Sequence, residues 1–182
     1  MKGFEREDRL LSLCGLNCGL CAMNLGGYCP GCGGGPGNQG CAIARCAVER
    51  GGVAYCFQCG DYPCRRYEGI DRYDSFITHL NQRSDLEKAR EIGAAAYGAQ
   101  QAEKVEILRA LLERYNDGRR KSFYALAVNL LELPRLRAVM DRLNSEPGLE
   151  ALPAKERSAF AAALLRAEAE DQGVALKLRK KT

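Results

Sequence analysis

The pattern of apolar and polar positions divides this chain near residue 70. Beyond that point, apolar side chains recur at helical spacing, which predicts about five helices packed as a bundle with short loops. Each helix is marked by a cap, a proline or a new apolar stripe. The predicted helices run from a capping box at 84–87 toward Gln100, through 105–112 to a stop at 116–118, and then from Phe123, Pro134 and Pro153.

The first part of the chain lacks this periodicity. It contains a glycine-rich loop at 26–40, which cannot form a stable helix or strand by itself. Around this loop the sequence predicts only short elements. These are a helix at 41–50, a short strand at 53–55, a helical turn at 64–67 after Pro63, and apolar contacts from Leu10, Leu11 and Leu13 beneath the cysteines.

These patterns predict a mainly α protein in two parts. Residues 1–70 form a small cysteine-rich metal-binding module of short helices and loops, and residues 71–182 form an α-helical bundle part with a basic tail. The tail at 174–182 is expected to be solvated or to form a short edge strand. No apolar run is long enough to cross a membrane, and the charged first residues do not resemble a secretion signal, so we expect a cytoplasmic protein.

All ten cysteines lie within residues 14–64, and their spacing is typical of metal ligands. Two cysteines separated by two residues can place both sulfurs about 2.3 Å from one metal, and three such pairs occur here. We therefore predict that the metal ligands come from this set: Cys14, Cys18, Cys21, Cys29, Cys32, Cys41, Cys46, Cys56, Cys59 and Cys64. A disulfide framework is the alternative, but it is typical of secreted proteins.

The sequence does not decide which metal the cysteines bind. Zinc sites with a structural or interaction role are the first hypothesis, and a [4Fe-4S] cluster with a redox or enzymatic role is the alternative, because thiolates suit both. Whether the protein is an enzyme is likewise open. His79, the only histidine, is expected on an apolar helix and is not needed as a ligand.

The preferred grouping of the cysteines makes two four-sulfur sites. One site contains Cys14, Cys18, Cys21 and Cys64, and the other contains Cys29, Cys32, Cys56 and Cys59. Cys41 and Cys46 are then spare, bridging, or replacements for one of the pairs.

A run of positive charge is the second candidate site. Arg119, Arg120, Lys121 and Ser122 begin a predicted helix, where cations oppose the helix dipole and N–H groups are free to bind an anion. An anionic small molecule or an acidic protein surface could bind there. The alternative is that Asp117 caps the helix while the cations stay solvated or paired. The net charge of +4 ignores ionised cysteines, so it does not favour nucleic-acid binding.

The motifs CGLNCGLC, CPGC, CAIARC, GVAYCFQCGDYPC and YNDGRRKSFYALAVNLLEL together resemble the DUF3795 family of uncharacterised cysteine-rich microbial proteins. The resemblance covers most of the chain. It implies a metal-binding region and supplies no catalytic residue, substrate or partner.

Overall fold

The computed structural model describes residues 4–35 and 40–180, and within them the chain is mainly helical with no strand. This confirms the predicted fold class. The seven α-helices are α1 (Ala22–Leu25), α2 (Ala42–Glu49), α3 (Gln82–Ile92), α4 (Ala94–Arg114), α5 (Lys121–Leu130), α6 (Leu133–Ser145) and α7 (Ala154–Asp171). Short 3-10 turns cover Cys18–Leu20, Cys56–Gln58, Arg65–Tyr67 and Leu149–Ala151.

The chain forms two compact units. The first contains Met1–Ala102 together with Leu178–Thr182, and the second contains Glu103–Lys177. The division falls within α4, well after the change of pattern near residue 70, because α3 and the start of α4 pack into the cysteine-rich unit. Residues 36–39, part of the glycine-rich loop, lie outside the described residues.

Two leucines of the first unit are buried beneath the cysteines, as the sequence predicts. Leu11 packs with Ala89 and Tyr97, while Leu13 packs with Phe4 and with α2. The third, Leu10, is exposed, so the expectation for it is wrong. The buried leucines tie the first cysteine segment to three separate helices.

The strand expected at 53–55 does not form. The Arg6 guanidinium donates two hydrogen bonds to the Ala54 carbonyl, at 3.2 and 2.8 Å. The Tyr55 N–H donates to the Gln58 side chain at 3.0 Å. Backbone groups that a neighbouring strand would need are therefore already bonded to side chains.

The helices of the second part match the prediction in number, since α3 to α7 make five. The prediction that a capping box at 84–87 begins the first of these helices is wrong. α3 begins at Gln82, and the Ser84 hydroxyl donates to the Asn81 carbonyl. The break between α3 and α4 lies at Gly93, whose φ of 89° is in the left-handed region that favours glycine.

The second unit is built around α5, whose residues 124–130 are all buried. α7 packs against both α5 and α6. The buried Tyr124 hydroxyl donates to the Tyr115 carbonyl at 2.7 Å and lies 3.3 Å from the Ser158 hydroxyl. These contacts satisfy a polar group inside the apolar bundle.

His79 lies in the loop before α3, so its predicted helical position is wrong. Its ring bonds to the Ile70 carbonyl at 3.1 Å and to the Ser75 hydroxyl at 3.0 Å, which makes it a structural residue of this loop. The buried Asp74 carboxylate accepts the His79 N–H and also three N–H groups of Arg179. The described part of the basic tail is thus held by Asp74 and forms no strand.

We expect Asp74→Asn to lower the free energy of unfolding by about 2 kcal/mol, because Arg179 loses a charged partner that is only 1% exposed. Urea unfolding followed by circular dichroism measures the change. Asp141→Asn, an exposed position, is the matched control. An equal effect in both variants would contradict the role of Asp74.

The same pair predicts a dependence on pH. Burial opposes ionisation of Asp74, but the hydrogen bonds from Arg179 outweigh it and lower the pKa from 3.8 to about 2. The stabilisation is therefore complete above pH 4 and is lost as the pH falls toward 2. The difference in unfolding free energy between the wild type and Asp74→Asn should therefore become smaller as the pH falls from 4 to 2.

Two glycines of the first unit should respond oppositely to alanine. Gly15 has a φ of 97°, and a Cβ there would lie 2.2 Å from the Gln82 carbonyl oxygen. Gly15→Ala should cost about 2–3 kcal/mol of unfolding free energy. Gly98 lies within α4 with nothing near its added Cβ, so Gly98→Ala should stabilise by about 0.5–1 kcal/mol. Effects of the same sign in urea unfolding would refute this contrast.

Candidate metal site

Four cysteines line one pocket in the first unit. Cys46, Cys56, Cys59 and Cys64 share a cavity of about 450 Å³ with Tyr67 and three arginines. Cys46 comes from α2, Cys56 and Cys59 flank one 3-10 turn, and Cys64 precedes the next. The fold therefore gathers thiols from three local elements at one place.

The turn at Cys56–Gln58 is defined by its own hydrogen bonds. The Cys59 N–H donates to the Cys56 carbonyl at 3.0 Å, which is the tight geometry that brings a C-x2-C pair together. The Cys56 N–H donates to the Leu13 carbonyl at 2.8 Å. This last bond anchors the turn to the buried leucine segment.

Positive charge surrounds these thiols. Arg50, Arg65 and Arg66 line the pocket, and Arg50 Nη1 lies 3.7 Å from Cys59 Sγ while also pairing with Asp61. Arg50 follows α2 four residues after Cys46, so both side chains share one helix face. These cations would attract negative charge that a bound group brought into the pocket.

Burial opposes ionisation of Cys56, one of the thiols in this pocket. It raises the pKa of Cys56 to about 12, although a hydrogen bond from the Tyr67 hydroxyl lowers it. Tyr67 is itself buried, and its hydroxyl also lies 3.4 Å from the Cys14 carbonyl. A bound cation would remove the cost of ionising Cys56 in this place.

A second group of thiols lies in the same unit. Cys32 and Cys41 pack against the apolar cluster that contains Leu13, next in sequence to the buried Cys14. Burial raises the pKa of Cys14 to about 11 and also raises the pKa of Cys18 and Cys32. Cys56 packs against the apolar cluster that contains Cys14, so the two groups are neighbours.

The predicted division of the cysteines into two four-sulfur sites stays a prediction. Cys64 lines the pocket with Cys56 and Cys59, and Cys14 belongs to the apolar cluster against which Cys56 and Cys64 pack. Cys32 and Cys56 both pack against the neighbouring cluster that contains Leu13.

Sequence reasoning left Cys46 unassigned and did not identify Arg50 or Tyr67. The sequence did contain a signal that Arg50 lies near Cys46, because residues four apart lie on the same side of a helix. Nothing in the spacing indicates that Tyr67 reaches both Cys14 and Cys56.

The predicted anion site lies in the second unit. The N–H groups of Gly118 and Arg120 donate to the Asn116 side chain, and that of Arg119 donates to Asp117. Arg120 Nε lies 3.8 Å from Asp117. An anion could therefore use only the side chains and the first-turn N–H groups of α5, and the site stays a prediction.

All ten cysteines are free thiols in the structure. Within residues 4–35 and 40–180, no group of three or more Cys, His, Asp or Glu side chains is arranged to hold a single metal ion. The pocket therefore supplies four possible thiolate ligands that this structure does not arrange around one ion position.

No protein-family model, curated protein or solved structure matches this chain. The resemblance to the DUF3795 family therefore stays a prediction. Across the described residues, no helix is both long and apolar enough to pass through a membrane.

Proposed function

We propose that the pocket formed by Cys46, Cys56, Cys59 and Cys64 binds a [4Fe-4S] cluster, and that the protein is an iron–sulfur protein with a redox role. One observation carries the proposal: four thiols from three elements line one cavity together with three arginines. Cysteine in sets of four is the usual ligand set of such clusters.

The size of the pocket is the basis for preferring a cluster to zinc. Tetrahedral zinc with bonds near 2.3 Å needs its sulfurs about 3.8 Å apart, around one point. A cubane cluster gives each thiolate its own iron, so the sulfurs stand farther apart and enclose a larger volume. The pocket of about 450 Å³ favours the cluster. Zinc, the first hypothesis from the sequence, becomes the alternative.

The charges around the pocket fit an anionic group. Four thiolates and a cluster core carry net negative charge, and Arg50, Arg65 and Arg66 line the same cavity. Arg50 is close enough to Cys59 Sγ to donate a hydrogen bond, which is a contact that tunes cluster potentials.

The ligand count favours electron transfer over substrate chemistry. With four cysteines in the pocket, every iron of a cubane has a protein ligand and none is left open for a substrate. Thiolates stay available for metal in a reducing compartment, so the proposal places the protein in the cytoplasm.

The pocket cysteines should be necessary for iron binding. Protein purified without oxygen should be brown and contain iron and acid-labile sulfide, and Cys46→Ser with Cys59→Ser should lose at least half of both. Asp141→Asn, an exposed substitution in the second unit, is the control and should keep the wild-type content. Colourless wild-type protein with stoichiometric zinc would overturn the cluster. Unchanged metal in the double variant would overturn the pocket.

Metal removal should affect the two units differently. In small metal modules the binding free energy is also folding free energy, so anaerobic chelation should open residues 14–64 to proteases. The second unit has its own apolar core around α5, and the helices α5 to α7 should keep their circular dichroism signal. Unchanged cleavage within 14–64 after verified metal loss would contradict this linkage.

A further inference from the structure

A serine and a histidine are in contact in the loop before α3, away from the cysteine pocket. Ser75 Oγ lies 3.0 Å from His79 Nε2, which is hydrogen-bond distance. Nδ1 of the same ring lies 3.1 Å from the Ile70 carbonyl oxygen. A hydroxyl on one nitrogen of an imidazole, with the other nitrogen held by a third group, is the arrangement of a nucleophile and its general base.

The Ile70 carbonyl determines where the proton of the neutral His79 ring lies. A carbonyl oxygen can only accept a hydrogen bond, so Nδ1 carries the proton. Nε2 is then an acceptor, and the Ser75 hydroxyl is the donor in the contact between them. A hydrogen bond in this direction prepares the transfer of the Ser75 proton to His79. The carbonyl thus orients the ring, as a carboxylate does in a serine–histidine–aspartate triad.

The backbone on both sides of this pair is held by hydrogen bonds. The Asp74 carboxylate accepts the His79 N–H at 2.7 Å. The Asp74 N–H donates to the Arg179 carbonyl at 2.8 Å, and the Ser75 N–H donates to the Ile77 carbonyl at 3.1 Å. Both members of the pair are therefore positioned through their own backbone groups, which fixes their contact before any ligand binds.

A substrate could reach the Ser75 hydroxyl from solvent. Ser75 is exposed, and the side chains that flank it closely in sequence, Tyr73 and Phe76, are 38% and 70% exposed. These rings offer apolar surface for an acyl group. The Phe76 N–H donates to no acceptor within residues 4–35 and 40–180. The N–H of the residue after a nucleophilic serine is a common donor to the oxyanion that forms in acyl transfer.

We propose that Ser75 is a nucleophile activated by His79, and that it hydrolyses carboxylic esters with a small apolar acyl group. Ser75 Oγ attacks the ester carbonyl carbon, and His79 Nε2 takes the hydroxyl proton. The ring gives this proton to the alcohol oxygen as the ester carbon–oxygen bond breaks. Water that loses a proton to the same nitrogen then attacks the acyl-serine, and Ser75 regains its proton as the carboxylic acid leaves. No metal takes part, so the activity is independent of the function proposed for the pocket.

The test treats the full chain with a fluorophosphonate, whose phosphorus bonds to a serine oxygen while fluoride leaves. Mass spectrometry of the digested protein should find the phosphonate on Ser75. Ser75→Ala should abolish this adduct, and His79→Gln should slow its formation by about 100-fold, the scale of general-base catalysis. Hydrolysis of phenyl acetate should fall in both variants.

Ser84→Ala is the matched control for these measurements. Ser84 is also exposed, but its hydroxyl donates to the Asn81 carbonyl and not to a histidine. Its loss should leave both the labelling of Ser75 and the hydrolysis of phenyl acetate at the wild-type rate.

Labelling of Ser75 no faster than labelling of Ser84 would overturn the proposal, and the contact with His79 would then only hold the loop. Phenyl acetate hydrolysis at the wild-type rate in Ser75→Ala would overturn it as well. Ser75→Ala removes one exposed hydroxyl, so it decides the question if His79→Gln fails to fold. The Cys46/Cys59 double variant, which tests the pocket, should label Ser75 at the wild-type rate, so either proposal can fail without the other.

Discussion

Ten thiols within one small unit cannot all ionise without compensation, and this constraint governs the first half of the molecule. Burial raises the pKa of Cys14, Cys18 and Cys56, and neighbouring cysteines raise it further. The Ser12 hydroxyl beside Cys14 lowers the pKa of that thiol without offsetting burial. A cation bound at these thiols, as proposed, would have to supply the free energy of ionising them.

The protonated thiols also serve as small apolar side chains. Cys32 and Cys41 pack with Phe4 and Leu13, and Cys14 and Cys64 pack with Leu86. The cysteine-rich unit therefore has a partial core before any metal binds. A bound metal, as proposed, would add to this core by linking the segments that carry the cysteines.

Local features of this chain could be predicted from sequence, while contacts between distant segments could not. The helix α2 follows from its apolar spacing and the glycines after it, and the Cys56–Cys59 turn follows from the C-x2-C motif. The partners of that turn depend on the Cys56 N–H bonding to Leu13, a contact that no periodicity encodes. The start of α3 was missed because Ser84 bonds backward to Asn81, so a local capping signal was overridden.

The use of positive charge differs between the two candidate sites. Arg119 and Arg120 begin a helix where their charge is unfavourable, but Asn116 and Asp117 already bind the N–H groups there. Arg65 and Arg66, in contrast, line a cavity of four thiols and form no ion pair within the part of the chain that the structure describes. Those two arginines would gain a counter-charge if the pocket held the anionic group proposed for it. The cations of α5, in contrast, already lie beside the Asp117 carboxylate.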